Sequence, residues 1–120
     1  MIGNRLLRKM ALALLLGGAA LLPHGAHAQG AKAAAESLFQ AAKQLMADKK
    51  FAEACPKLAE SHRLDPSPGT QLNLARCYEG LGKTASAWAE YKGAAVLAHQ
   101  LGQKDREDGA RDLARELEPK

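Results

Sequence analysis

Residues 74–83 read LARCYEGLGK, and Ala87, Tyr91 and Ala94 follow at helical spacing. The residues 33 positions earlier form a weaker copy of this pattern of small and large apolar side chains: Ala41, Ala42, Leu45, Lys49, Ala54, Leu58 and Ser61. A repeat length in the low thirties, with helical spacing inside each copy, is typical of stacked helix–turn–helix units. The pattern therefore predicts an all-α fold.

Five helices follow from the periodicity and from the turn residues. They are expected at about 31–48, 51–64, 68–81, 84–101 and from 105 onward. Gly82 and Gly102 suit the turns that end the third and fourth helices. Ser67, Thr84 and Asp105 are expected as N-caps of the last three helices. The stripes expected to be buried include Ala41 and Ala42 on the first helix and Cys77, Tyr78 and Leu81 on the third.

The repeated pattern resembles the tetratricopeptide repeat (TPR). That family has a large apolar residue, a Leu-Gly or Leu-Ala pair and a Tyr on its first helix, places small–aromatic–small residues on its second helix and closes with Pro. Pro66 closes the first copy in this way, whereas Ser61 and His99 depart from the family pattern. The resemblance implies TPR-like stacked helix–turn–helix repeats, two repeats plus a C-terminal capping helix. Residues 51–57 and 84–88 further resemble secreted TPR-containing proteins of Gram-negative bacteria, in which a β-rich region often follows. Whether this chain is a fragment of a longer protein stays open.

The first 28 residues have the layout of a secretory signal peptide. Three basic residues within 5–9 precede an apolar run over 10–22, and Ala26-His27-Ala28 supplies the small residues of a cleavage site. An apolar run of this length is short for a bilayer span. We expect a signal peptide over 1–28 and a helical repeat domain over 29–120, in the periplasm or secreted. Retention of the leader as an anchor stays an alternative.

Removal of the leader changes the electrostatics of the chain. The full sequence has 17 basic and 13 acidic side chains, a net charge of +4. The leader carries three of the basic residues and no acidic one, which leaves 14 against 13 and a net charge of +1. Nucleic-acid binding, which needs a basic patch, is not expected. No later apolar run approaches the length of a membrane span.

Cys55 and Cys77 are the only cysteines, and disulfides persist in exported proteins. Each lies 11 residues from Pro66, on opposite sides of the turn, so two antiparallel helices would bring them to the same height. The packing of the resembled family places both positions on facing sides of adjacent helices. A disulfide is expected, and two free buried thiols are the alternative.

Neither metal binding nor catalysis is predicted. After loss of the leader only His62 and His99 remain, without ligand spacing. The acidic residues of 105–116 alternate with arginines, which is typical of a solvated, ion-paired helix face. No serine lies in a glycine elbow with a partnered histidine. We expect no enzyme, no catalytic residue and no cofactor.

The family resemblance implies a concave groove lined by the first helix of each repeat. The matching positions here are Phe39, Lys43, Met46, Leu72, Asn73, Arg76 and Glu79. Phe39 stands where the family's carboxylate clamp has lysine, so that clamp is not expected. The expected function is a non-catalytic scaffold or adaptor that binds a protein or peptide partner. The alternatives are ordinary exposed helix residues at these positions, a homo-oligomeric envelope subunit that stacks end to end, and an accessory subunit of an envelope enzyme.

Overall fold

The computed structural model describes residues 24–119, and all regular structure in that range is helical. The helices are α1 (His24–Ala47), α2 (Phe51–Leu64), α3 (Pro68–Gly80), α4 (Thr84–Gln100) and α5 (Lys104–Glu116). The predicted all-α class is confirmed. Most of the predicted signal peptide, residues 1–23, lies outside the described residues, so its assignment stays a prediction.

Each helix packs chiefly against the helices before and after it in the sequence. The connections are turns of about three residues, which are too short to do anything but reverse the chain direction. The result is a row of antiparallel neighbours. In this row α1, α3 and α5 run in one direction, while α2 and α4 run in the other.

Three of the four turns have the same backbone design. Lys49, Gly82 and Gly102 adopt left-handed φ angles of 57°, 71° and 68°. The following residue donates its N–H to a carbonyl five residues earlier, as in Lys50 to Leu45 (2.8 Å) and Lys83 to Tyr78 (2.8 Å). This is the Schellman pattern of helix ends. The two glycines were expected at these places; the lysine is a costlier choice, because its Cβ disfavours the left-handed region.

Small residues make up most of the buried core. A first cluster joins α1, α2 and α3 through Ala42, Ala54, Cys55, Leu58, Leu74 and Cys77. A second joins α3, α4 and α5 through Ala75, Ala87, Tyr91 and Ala114, with Trp88 and Leu117 packed against it. A third contains Ala94, Ala95 and Ala110. Alanine has little bulk, so helices that meet through it can approach closely. Gly80 allows a further close contact between α3 and α2, because a β-carbon built there would lie 2.6 Å from the Phe51 ring.

Some local expectations are wrong. Ala41 and Leu81 are exposed, because α1 packs mainly on α2 and buries only a narrow stripe, while Leu81 lies one residue beyond the end of α3. Ser67 caps α3 through a 3.5 Å bond from the Thr70 N–H, as expected. Thr84 is the first residue of α4 and Asp105 the second of α5, and the preceding cap residues make no side-chain bond.

Among the helices of residues 24–119, none lies beside the first part of α1. Side chains from Gly25 to Ala34 are exposed, apart from the half-buried Ala31. Burial begins at Ala35, which lies across from the C-terminal part of α2. The predicted cleavage point after Ala28 therefore lies in helix that contributes nothing to the core.

The left-handed lysine generates a stability prediction. Lys49→Gly should raise the free energy of unfolding by about 0.5–1 kcal/mol, since relief of the left-handed strain exceeds the added flexibility of the unfolded chain. Lys50→Gly is the matched control, because Lys50 has a φ of −88° and should gain nothing. Urea denaturation of the three proteins measures the difference, and a destabilised Lys49→Gly variant would contradict the strain.

Candidate functional site

The groove residues predicted on α1 divide into one exposed charge and two packing side chains. Lys43 is exposed, and its Nζ lies 5.6 Å from the centre of the Phe39 ring, within reach of a cation–π contact. Phe39 and Met46 are half-buried and pack against the first core cluster. This part of the face therefore presents an ammonium group above an apolar surface.

The residues predicted on α3 divide in the same way. Leu72 is half-buried and packs against the second and third clusters. The Nδ2 of Asn73 donates to the Gly69 carbonyl at 2.8 Å, which uses one of its two amide hydrogens within its own helix. Arg76 and Glu79 are exposed. The charged side chains exposed at these predicted positions are thus Lys43, Arg76 and Glu79.

A buried tyrosine holds the carboxylate of Glu79. Tyr91 on α4 is 1% exposed, and its hydroxyl donates a short hydrogen bond to Glu79 Oε2. Burial, and then the Glu79 carboxylate, raise the pKa of Tyr91 far above its usual value, while Arg76 acts weakly in the opposite direction. The sequence predicted Tyr91 as a core residue only. The sequence could have indicated this hydrogen bond, because a buried tyrosine hydroxyl usually has a partner.

Ser61, the departure from the family pattern, has a structural role. It is 2% exposed, and its Oγ donates to the Ala35 carbonyl at 2.7 Å. A buried hydroxyl needs such a partner. The bond ties α2 to α1 at the level where the packing of α1 begins.

The two cysteines meet in the first core cluster. Their Sγ atoms lie at bonding distance and their Cα atoms are 5.6 Å apart, within the usual range for a disulfide. Cys55 is 3% and Cys77 0% exposed. The bridge joins α2 to α3 across the turn that contains Pro66.

The acidic and basic residues of α5 form ion pairs, as expected. All of them were expected to be exposed, but one is buried. Lys104 pairs with Asp108 at 2.5 Å, and Arg115 pairs with Asp112. Glu107, in contrast, is only 5% exposed. Its carboxylate lies 2.6 Å from Arg111 and 3.1 Å from Nδ1 of His99, so the buried charge has two partners and links α4 to α5.

No group of three or more metal-binding side chains comes together within residues 24–119. His62 instead faces the Ser67 N–H at 3.4 Å. None of the helices in this range has the length and hydropathy required to traverse a bilayer.

The chain was compared with models of known protein families, with curated proteins and with solved structures. None of the three comparisons finds a match.

The disulfide predicts a redox-dependent stability. Closing a loop of about 22 residues contributes about 3 kcal/mol in the chain-entropy model, so reduction should lower the free energy of unfolding by about that amount. Denaturant titration with and without a phosphine reductant measures it, with the Cys55→Ala/Cys77→Ala double variant as the control that should not respond. Two free thiols in the denatured, non-reduced protein would contradict the bridge.

The buried tyrosine predicts alkaline destabilisation. A raised pKa means that the folded protein keeps the Tyr91 proton after the unfolded chain has lost it, so the contribution present below pH 10 is lost above it. The free energy of unfolding should fall by about 1.4 kcal/mol per pH unit above pH 10 on account of this residue. The Tyr91→Phe variant should lack that part of the slope. Equal slopes for both proteins between pH 10 and 11.5 would refute the assignment.

Proposed function

We propose that this chain is an exported, non-catalytic, TPR-like interaction module that binds a peptide or helix on the face formed by α1 and α3. The observation that carries the proposal is the recurrence of the helical hairpin along the chain. The helix ends Ala47 and Gly80 are 33 residues apart, as are the helix starts Phe51 and Thr84. The left-handed turn residues Lys49 and Gly82 are separated by the same interval.

Packing between sequence neighbours supports the same proposal. In solenoid proteins each unit contacts only the adjacent ones, and the open face of the row is the usual binding surface. Here α1 and α3 run in the same direction with α2 packed against both. Their outward side chains are therefore free to contact a partner.

The chemistry of the face fits a partner with acidic groups and some apolar surface. Lys43 and Arg76 supply cations that can hold a carboxylate. Phe39 and Met46 provide half-buried apolar surface beside them. Glu79, held by Tyr91, is positioned to accept from an amide or an ammonium group of the partner.

Export is supported by the disulfide and by the geometry of α1. Disulfides persist in the periplasm and outside the cell. Among the residues whose exposure is described, cleavage after Ala28 would remove only 25–28, which are exposed, and the core of the described part begins at Ala35. The proposed location is the periplasm or the exterior of a bacterial cell.

A second candidate, a structural subunit that stacks end to end, has one observation in its favour. At the α4–α5 end an open cavity of about 440 Å³ is lined by Thr84, Ala85, Trp88, Leu117 and Pro119. The Trp88 Nε1 is buried there and has no hydrogen-bond partner within residues 24–119. Sedimentation across a concentration series separates the candidates: stacking requires an oligomer that grows with concentration, whereas the adaptor stays a monomer.

The proposed face is tested by charge reversal. Lys43→Glu with Arg76→Glu should abolish capture of the partner, since both cations that would hold its acidic groups become repulsive. The matched control is Lys57→Glu with Lys92→Glu on α2 and α4, which changes the net charge equally on other helices. The measurement is crosslinking of the exported protein within its own envelope, followed by mass spectrometry of the captured species.

The face is supported if one species is captured by the native and control proteins and lost from the Lys43/Arg76 variant. Undiminished capture by that variant would reject the face. Circular dichroism of all three proteins excludes unfolding as the cause of a loss, because the substituted positions lie outside the buried core.

A further inference from the structure

The contact between α2 and α3 differs from the other contacts between successive helices. Each of the other three includes a hydrogen bond or ion pair from one helix to the next. These bonds join Ser61 to the Ala35 carbonyl, Tyr91 to Glu79, and His99 to Glu107. Within residues 24–119, no side-chain hydrogen bond or ion pair joins α2 to α3 while the disulfide is formed.

The Cys55–Cys77 bridge is located at this one contact. Cys77 Sγ also lies 3.4 Å from the Phe51 carbonyl oxygen, but the sulfur of a disulfide has no hydrogen to donate. The α2–α3 contact is also the smallest between successive helices. In the described part of the chain, α2 and α3 are therefore held by one covalent bond, by apolar packing and by the short turn between them.

Apolar packing at this contact involves few side chains. In the first core cluster α2 contributes Ala54, Cys55 and Leu58, and α3 contributes Leu74 and Cys77. On one side of the contact, α1 packs on α2. On the other side, α3, α4 and α5 share the second and third clusters. The helices therefore group into two bodies, α1–α2 and α3–α5, and the disulfide is the bond that joins them across the contact.

An open cavity of about 290 Å³ borders the bridge. Its lining is Ala52, Cys55, Pro56, Tyr78, Leu81 and Lys83. Cys55 is 3% exposed, whereas Cys77 is 0% exposed. A thiol oxidant or reductant therefore approaches from the Cys55 side, since disulfide exchange requires access to a sulfur atom.

We propose that the bridge is a redox control for a hinge between α1–α2 and α3–α5. With both thiols reduced, the two bodies move relative to each other about the turn 65–67; with the bridge formed, they are fixed. Oxidation removes two protons and two electrons from the thiols of Cys55 and Cys77, and a disulfide-bearing oxidant accepts them and leaves as a dithiol.

The hinge itself does not depend on the identity of a partner. Its consequence rests on the proposed function: the face formed by α1 and α3 acquires a fixed geometry only after oxidation. Because disulfides form outside the reducing cytosol, the face is completed after export.

Pulsed electron paramagnetic resonance on the exported full chain tests the hinge. Reduction-resistant nitroxides are coupled to azide-bearing residues introduced at position 43 on α1 and position 76 on α3, which are both exposed, so the native cysteines stay unlabelled. Spectra are recorded before and after reduction by a phosphine, which with one water molecule gives two thiols and a phosphine oxide. Reduction should at least double the width of the distance distribution, because a freed hinge samples many orientations.

Two label pairs that do not span the hinge are the matched controls. Positions 43 and 53 lie on α1 and α2, and positions 76 and 92 lie on α3 and α4; all are exposed. Each control pair shares one label with the test pair, and both widths should stay unchanged on reduction. In the Cys55→Ala/Cys77→Ala background, the test pair should show the broad distribution without any reductant.

An unchanged width for positions 43 and 76 after complete reduction would overturn the proposal. Equal broadening of the control pairs, or a loss of helical circular dichroism, would also overturn it, because the two bodies would then unfold instead of moving as units. No partner takes part in these measurements, so failure of the hinge is distinguishable from failure of the partner face.

Discussion

The contact between α2 and α3 determines whether this chain is one body or two hairpins. It is the smallest of the contacts between successive helices. A disulfide lies at that boundary, and the Phe51 ring presses against Gly80 there. The two halves can share one binding face only if this boundary is fixed, because a face that spans α1 and α3 has no fixed geometry when the hairpins move separately. A covalent link at the smallest contact therefore contributes to the geometry of the proposed face as well as to stability.

Two charged side chains of the proposed face, Glu79 and Lys43, contact residues that are packed into the core. Glu79 is exposed, yet a hydroxyl that reaches it from the buried side of α4 restrains its carboxylate. Lys43 lies near an aromatic ring that is itself packed into the core. A partner would meet charged groups that have already lost part of their conformational freedom, which reduces the entropy cost of binding.

Most of the fold could be predicted from sequence because it depends on local signals. Proline and glycine mark the turns, apolar spacing marks the helices, and the 33-residue interval orders them; the Ser67 cap followed from the same rules. Ala41 and Leu81 were predicted wrongly, because apolar spacing does not show how many neighbours a helix has. The Tyr91–Glu79 bond, the Ser61–Ala35 bond and the burial of Glu107 depend on contacts between helices, for which the sequence gives residue types but no partners. The proximity of Arg106 to Gly69 at the start of α3 likewise depends on two intervening turns.

The alanine content of the core has a consequence for how the chain tolerates change. Ten of the fifteen buried apolar residues in the described part are alanines. Truncation of alanine removes only one methyl group. An added methyl group, in contrast, would clash with the facing helix, because the helices are already in contact. Natural variation in the interior should therefore be limited by enlargement: exchanges among alanine, glycine and serine would be tolerated far more often than valine or leucine at the same sites. Helix spacing, and with it the width of the face between α1 and α3, is set by the smallest side chains of the chain.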